Sequence, residues 1–129
     1  MDMLTRDAFE VWLQAYRAAW ESRDARAAAA LFSPQGAEYY WTPFDPPQRG
    51  RDEIAAAWQG AVTQQQDIHM TFEVLAVEGN RGIARWRTNL KSAPSGEPVQ
   101  LDGVLTAEFE GPKLCRVFRE WWHQANKPY

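Results

Sequence analysis

The sequence predicts an α+β domain in which helices cover one face of a curved antiparallel sheet. Apolar residues recur at helical spacing through the first half of the chain, and apolar and polar residues alternate through the second half. Glycine-containing turns divide that second half into hairpins. Helices followed by a run of strands are typical of the α+β class. The 129 residues show no internal repeat or linker, so we expect a single domain over residues 1–129.

Two helices are predicted before residue 33. The first begins after Thr5, which suits the N-cap, and its apolar face is formed by Phe9, Trp12, Leu13, Tyr16 and Trp20. The second begins after Asp24, a favoured N-cap residue, and contains a run of alanines. It ends at Ser33-Pro34, because proline disfavours helical geometry in the residue before it.

A short strand, a loop and a third helix follow. Residues 37–41 are rich in the aromatic side chains that favour strands. Three prolines in residues 42–50 predict an irregular loop. The third helix, residues 51–62, has Asp52 and Glu53 in its first turn, where the helix dipole favours negative charge.

The second half predicts four long strands. Glycine-containing turns join them in two hairpins, which are residues 68–78 with 82–90 and residues 99–110 with 113–124. The segment between the hairpins has no periodicity and is predicted as a loop. The strands therefore form a meander.

Composition and charge narrow the classes of function. The chain carries 14 basic and 17 acidic residues, which gives no electrostatic reason to expect a nucleic acid or an anionic membrane as partner. No apolar run approaches the roughly 20 residues that span a bilayer. Cys115 is the single cysteine, so no internal disulfide is expected. The chain has no basic start followed by an apolar run, so a secretion signal is not expected. We therefore expect a cytoplasmic protein.

The order and spacing of five stretches carry a family resemblance. They are AYRAAWESRDARAAAALF, RGRDEIAAAW, GIARWRTNL, LDGVLTAEFEG and REWWH, and together they extend over nearly the whole chain. They resemble the nuclear-transport-factor-2-like superfamily, in particular its SnoaL-like branch, with ketosteroid isomerase and polyketide cyclase relatives. The resemblance implies a cystatin-like cone, in which three N-terminal helices pack on a strongly curved antiparallel sheet. It also implies an apolar pocket at the wide end of the cone.

The closing stretch FREWWHQ places two tryptophans side by side. Because successive side chains of a strand point to opposite faces, Glu120 and Trp122 share one face and Trp121 lies on the other. The closing strand of ketosteroid isomerase relatives also ends in two aromatic residues, and the resemblance implies that the face of Trp122 is the concave one. Glu120 then points inward, and the two tryptophans serve opposite surfaces.

Glu120 and Tyr16 are the candidate catalytic residues. A carboxylate among aromatic side chains is desolvated, which raises its pKa and suits it to act as a general acid or base near neutral pH. Tyr16 lies eight residues before Asp24. The resemblance implies that this is the oxyanion-donor position of ketosteroid isomerase relatives. His69 is a further candidate to assist Glu120.

The resemblance also implies which residues line the pocket. The predicted ligand-binding residues are Trp20, Tyr40, Trp41, Trp58, Trp86, Leu105, Phe109, Phe118 and Trp122. Two catalytic acids of the ketosteroid isomerase relatives have no counterpart here. The general-base aspartate falls at Trp41 or Thr42, and the second acid falls at Leu105. Double-bond isomerisation by that mechanism is therefore disfavoured.

Structural roles are the alternatives for both catalytic candidates. Glu120 could bond a backbone amide, or pair with an arginine such as Arg17 or Arg51, and so fix the fold. Tyr16 could be a core tyrosine whose hydroxyl finds a partner.

Two classes of function follow from these alternatives. One is a small enzyme that performs proton transfer of an isomerase, cyclase or hydratase type on an apolar ring-containing molecule. The other is a non-catalytic dimeric module that holds an apolar ligand or a partner in the same cone. His69 and His123 lack a second ligand at metal spacing, so neither a metal nor another cofactor is expected.

The outward face of the sheet predicts a further interaction. This face would be a mixed charged and apolar surface that includes Arg85, Arg87 and Trp121. A large exposed apolar side chain such as Trp121 is typical of a surface that another protein covers. The superfamily commonly pairs two sheets back to back. The resemblance therefore implies a twofold homodimer through the convex sheet face.

Overall fold

The computed structural model describes residues 3–125. Its elements are α1 (Arg6–Glu21), α2 (Ala25–Ala29), β1 (Glu38–Tyr40), β2 (Gln48–Arg49), α3 (Gly50–Val62), β3 (Gln65–Glu78), β4 (Arg81–Ser92), β5 (Pro98–Glu110) and β6 (Leu114–Gln124). The predicted α+β class, the three helices and the four long strands are confirmed. Within the described part of the chain, no helix is long and apolar enough to cross a membrane.

The six strands form one curved, open sheet in the order β2-β1-β6-β5-β4-β3. The four long strands pair antiparallel as predicted. The prediction differs from the structure at the other end of the sheet, where β1 runs parallel to β6 with Tyr39 opposite Phe118. The short strand β2 also forms inside the segment predicted as an irregular loop. Pro46 and Pro47 precede β2 rather than lie within it, so its backbone N–H groups remain available for pairing.

Helix α1 lies in the hollow of the sheet. Thr5 caps it as predicted, because its Oγ1 accepts a hydrogen bond from the Ala8 N–H at 3.1 Å. Gly82 of β4 lies beneath Phe9, and a Cβ atom at that glycine would be 2.6 Å from the Phe9 Cδ2 and Cζ atoms. The missing side chain therefore allows the helix to approach the sheet closely.

Helix α1 also covers the outer edge of β3, the last strand of the sheet. Glu21 accepts a hydrogen bond from the Met70 N–H at 2.9 Å. Arg6 donates to the Val74 carbonyl at 3.3 Å. An edge strand otherwise presents unpaired backbone groups, so these side chains satisfy part of that edge.

The two shorter helices pack against each other. Asp24 caps α2 as predicted and accepts from the Ala27 N–H at 3.0 Å. Arg51 in the first turn of α3 donates to the Phe32 carbonyl at 2.8 Å. The guanidinium of Arg51 thereby joins the start of α3 to the chain that follows α2.

Gly103 marks a second close approach, between β5 and β6. A Cβ atom at Gly103 would be 2.8 Å from the Trp122 Cβ and would also collide with the backbone oxygen of Trp121. Backbone atoms in a paired strand cannot move aside cheaply. The sheet therefore requires glycine at this position.

We predict that Gly103→Ala destabilises the protein by about 1–3 kcal/mol, the usual range for overpacking a close contact. Gly60→Ala is the matched control, because a Cβ atom at Gly60 in α3 meets nothing within 4 Å. That change should be neutral or stabilise the helix by up to about 1 kcal/mol. Chemical denaturation of both variants measures the difference, and equal stabilities would contradict the close approach at Gly103.

Candidate functional site

Three side chains from different elements form one buried hydrogen-bond chain. Glu120 on β6 is 6% exposed, and its Oε2 accepts a hydrogen bond from the Tyr39 hydroxyl at 2.8 Å. The Tyr39 and Tyr16 hydroxyls are 2.7 Å apart and hydrogen bonded. We call Tyr16, Tyr39 and Glu120 the tyrosine–glutamate chain.

The local structure of each element explains how the tyrosine–glutamate chain forms. Tyr16 lies on the buried face of α1, one turn from Trp12 and one turn from Trp20. Tyr39 is the buried middle residue of β1 and lies opposite Phe118 in the parallel register with β6. Glu120 lies two residues beyond Phe118, on the same face of β6.

Aromatic rings enclose the tyrosine–glutamate chain. Phe118 stacks on Tyr39 with ring centroids 4.6 Å apart and on Tyr16 with centroids 5.4 Å apart. Trp58 from α3 presents an edge-to-face contact to Tyr16 at 5.3 Å. Trp41 lies 4.6 Å from Tyr39 by the same measure. The carboxyl group therefore lies in a largely apolar environment with a tyrosine hydroxyl as its hydrogen-bond donor.

This environment changes the acid–base properties of all three residues. Burial raises the pKa of Glu120 from 4.5 to about 8, and the hydrogen bond from Tyr39 only partly offsets that effect. Burial, followed by the charge of Glu120, raises the pKa values of Tyr16 and Tyr39 well above 10.0. At neutral pH Glu120 is therefore largely protonated, and both tyrosines keep their protons.

The structure brings the two catalytic candidates together through a residue that the sequence analysis missed. Glu120 points inward as alternation predicts, and it reaches Tyr16 through Tyr39. Alternation along β1 could have identified Tyr39, because it shares a face with the predicted wall residue Trp41. Tyr40, which was predicted to line the pocket, does not face the tyrosine–glutamate chain. Its ring lies on the other face of β1, 4.1 Å from the guanidinium carbon of Arg119.

The structure also identifies the hydrogen-bond partner of Glu120, for which a backbone amide or an arginine was the structural alternative. The ion pairs found within residues 3–125 do not include Glu120. Arg51, one proposed partner, donates instead to backbone carbonyls of Ala30 and Phe32. Tyr39, rather than a backbone amide or an arginine, is the hydrogen-bond partner of the Glu120 Oε2 atom.

Most of the predicted ligand-binding residues are buried together in the core. They are Trp20, Trp58, Trp86, Leu105, Phe109 and Phe118, with Trp41 half-buried beside them. Their side chains occupy the interior where the apolar pocket was predicted. Trp86 also lines a small surface pocket with Phe72 and Arg85. The most apolar surface pocket found on residues 3–125, about 460 Å³, lies between α1 and the β5–β6 turn.

The prediction for Trp122 requires a correction. Trp122 was expected to be buried in the cone, but it is 40% exposed, nearly as much as Trp121 at 44%. Trp122 lies near the end of β6, opposite Gly103, where the neighbouring strand has no side chain to cover it. Its indole N–H donates to the Trp41 carbonyl at 3.1 Å. The rings of Tyr16, Trp20, Tyr39, Trp41, Trp58, Trp86 and Phe118 form one connected group, which we call the aromatic cluster. Trp41 and Trp122 therefore meet at its exposed margin.

Neither histidine joins the tyrosine–glutamate chain. His69 lines a surface pocket with Asp67 and Lys91, and His123 is exposed near the end of β6. Residues 3–125 contain no group of three His, Cys, Asp or Glu side chains placed to hold a metal ion.

The raised pKa of Glu120 predicts how stability depends on pH. An unfolded glutamate titrates near 4.5, whereas folded Glu120 titrates at about 8. Between these values the folded protein keeps a proton that the unfolded chain has released, so the free energy of unfolding falls as pH rises and levels off above pH 8. The difference between the two pKa values corresponds to a loss on the order of 5 kcal/mol.

Denaturant unfolding at pH values from 5 to about 9 tests this prediction. Glu120→Gln cannot titrate and should lack the loss across this range, which leaves it more stable than the wild type at the alkaline end. Glu73→Gln, which changes an exposed carboxylate on β3, is the control and should follow the wild type. Identical pH profiles for wild type and Glu120→Gln would contradict the assigned protonation state.

Solved structures of bacterial proteins share this fold. A putative isomerase from Bacillus subtilis aligns with a TM-score of 0.75 and 16% identity over 90% of this chain and 88% of its own. A hypothetical protein with a ketosteroid isomerase-like fold from Catenulispora acidiphila, in complex with trimethylamine, aligns with a TM-score of 0.74 and 14% identity over 84% of this chain and 82% of its own. A ketosteroid isomerase-like protein from Erwinia carotovora atroseptica aligns with a TM-score of 0.71 and 16% identity over 94% of this chain and 96% of its own. These likenesses confirm the predicted cone fold.

The family is shown by the sequence itself. A search of curated proteins finds no match. The sequence model of the SnoaL-like domain matches residues 13–117, which include Tyr16 and Tyr39, whereas Glu120 lies just beyond the matched range. The match extends over most of the chain and agrees with the predicted superfamily. The chain therefore belongs to the SnoaL-like domain family.

Proposed function

We propose that the protein binds a small apolar, ring-containing molecule within the aromatic cluster and that Glu120 exchanges a proton with it without a cofactor. The observation that carries this proposal is the buried tyrosine–glutamate chain, whose carboxyl group has a pKa of about 8. General acids and bases work best when their pKa lies near the operating pH. Glu120 meets that condition because of burial.

The two tyrosines support the ionised form of Glu120 in this proposal. When Glu120 loses its proton, the Tyr39 hydroxyl stabilises the carboxylate by donating to Oε2. Tyr16, hydrogen bonded to Tyr39, holds that hydroxyl in place. Because both tyrosines have pKa values well above 10.0, they donate hydrogen bonds without releasing their protons at neutral pH.

The exposed margin of the aromatic cluster supplies the route for entry in this proposal. Trp41 and Trp122 meet there through a single hydrogen bond between indole and backbone, and both side chains are partly exposed. Other rings around Glu120 are more deeply buried. A ligand that displaces Trp41 and Trp122 would reach the tyrosine–glutamate chain with the least disruption of packing.

Hydrogen–deuterium exchange of carbon-bound protons tests the proposed chemistry. We expect the wild type to accelerate exchange in a panel of small cyclic carbonyl compounds that includes α-tetralone, followed by NMR in D₂O. General acid–base catalysis contributes about 10²-fold or more. Glu120→Gln should abolish the acceleration and Tyr39→Phe should reduce it, whereas Glu73→Gln, an exposed change on β3, should leave it intact.

Binding without exchange would instead favour the non-catalytic alternative. Aromatic rings together with a carboxylate also form the kind of environment that holds a methylated ammonium group. One structural neighbour is described in complex with trimethylamine. If calorimetry detects trimethylamine binding that Glu120→Gln removes, while no carbon acid in the panel exchanges, the protein is a binding module and the proposed catalysis is wrong.

We further propose that two copies associate through the convex sheet face. On this face, Asp102 accepts hydrogen bonds from Arg85 at 2.7 and 3.1 Å and from Arg87 at 3.1 Å. These three charged side chains are therefore paired within one subunit. Trp121 on the same side is 44% exposed. Ion pairs beside an exposed tryptophan suit an interface, since the carboxylate of Asp102 lowers the cost of burying the two guanidinium groups.

Sedimentation velocity at micromolar concentration tests the dimer. The wild type should sediment as a dimer, and Trp121→Asp should sediment as a monomer because it introduces an unpaired charge into the interface. Val11→Asp is the control, since Val11 is an exposed apolar residue on α1, away from the sheet face. A monomeric wild type would contradict the proposal.

A further inference from the structure

The loop between β1 and β2 carries the most exposed large apolar side chain found among residues 3–125. Phe44, near the middle of this loop, is 93% exposed. A ring that lies almost wholly in water contributes no burial to the core. Phe44 therefore does not stabilise the conformation in which the loop is observed. We call residues 42–47 the β1–β2 loop.

The β1–β2 loop is fixed at its ends and free between them. The antiparallel pairing of β1 with β2 holds the two ends together. Within residues 3–125, the hydrogen bonds of the loop itself are internal. The Thr42 hydroxyl donates to the Asp45 carboxylate at 3.1 Å and accepts from the Phe44 N–H at 3.3 Å. Segments with few bonds to the rest of a protein open and move most readily, so this turn can move as one unit.

The β1–β2 loop begins at the exposed margin of the aromatic cluster. Trp41 immediately precedes the loop, and its carbonyl accepts the indole N–H of Trp122 at 3.1 Å. Phe44 is three residues farther along, so its Cα atom lies within about 11 Å of the Trp41 Cα atom. Trp122, opposite Gly103, is 40% exposed. Two exposed aromatic side chains therefore border the proposed route of entry.

A ligand can close the loop only through contacts that it makes in the closed form alone. An apolar ligand between Trp41 and Trp122 offers such contacts, because it adds apolar surface against which the ring of Phe44 can be buried. Three of the six loop residues are prolines, which restrict the backbone before and after closure. The loop therefore loses less conformational entropy on closing than a flexible segment would.

We propose that the β1–β2 loop is a lid that closes over the exposed margin of the aromatic cluster when a ligand is bound, so that Phe44 contacts both the ligand and Trp122. This inference rests on the proposed function, because it assumes that the cluster admits a ligand. It adds a conformational step and a binding residue. Closure retains the ligand beside the tyrosine–glutamate chain and excludes water from Glu120.

The rate of ligand release tests the lid. α-Tetralone is the probe, and stopped-flow measurement of tryptophan fluorescence follows its binding and release. Phe44→Ala should release α-tetralone about tenfold faster than the wild type, with an association rate that is unchanged or higher. Phe44→Leu keeps an apolar side chain on the lid and should restore most of the slow release. Leu75→Ala removes an exposed apolar side chain from β3 and should match the wild type.

Amide hydrogen exchange followed by NMR gives a second readout. Addition of α-tetralone should slow exchange at the Thr42 and Asp45 N–H groups of the wild type, because closure removes them from water, but not in Phe44→Ala. Equal release rates for the wild type and Phe44→Ala, or loop amides unaffected by bound α-tetralone, would refute the lid and leave the proposed function in place. Failure of the wild type to bind α-tetralone would overturn both.

Discussion

The hydrogen bond between Tyr39 and Glu120 sets the arrangement of the whole interior. A carboxyl group enclosed by aromatic rings is unfavourable unless a donor reaches it, and Tyr39 reaches it at 2.8 Å. That contact depends on the parallel pairing of β1 with β6, which places Tyr39 opposite Phe118, two residues before Glu120. Tyr16 extends the same requirement to α1. Two hydrogen bonds thus join three elements from distant parts of the chain.

Aromatic packing explains both the closed interior and its unsatisfied polar groups. Large flat rings fill the cone through edge-to-face contacts, as between Trp20 and Trp58 and between Trp20 and Trp86. Such contacts fix the orientation of each ring by its neighbours, so an indole N–H points where packing places it. Where a carbonyl or glutamine lies in that direction, the donor is satisfied. For the indole nitrogens of Trp58 and Trp86, no acceptor lies within hydrogen-bond distance among residues 3–125.

The sequence predicts those parts of the fold in which a pattern repeats. Helical spacing identifies α1, and alternation identifies the four long strands and the inward direction of Glu120. The parallel pairing of β1 with β6 brings together residues about eighty positions apart, and no local pattern encodes it. The sequence pattern favours Tyr40 over Tyr39 as a wall residue for the same reason. The face that each residue of the three-residue strand β1 presents is determined by its pairing with β6. The exposure of Trp122 depends on its position near the end of β6 and on Gly103 opposite it. The alternation of apolar and polar residues predicts the face of a side chain but not whether another element covers it.

The contacts between α1 and the rim of β3 also limit how this sheet can grow. An uncovered rim is a template on which a strand of another chain can continue the ladder, the first step toward cross-β polymers. Glu21 occupies the Met70 N–H and Arg6 occupies the Val74 carbonyl, so an incoming strand would have to displace both before it could bond there. At the opposite rim β2 has only two residues before the chain turns into α3. Both rims of the sheet therefore offer an incoming strand fewer free backbone groups than long, bare edge strands would.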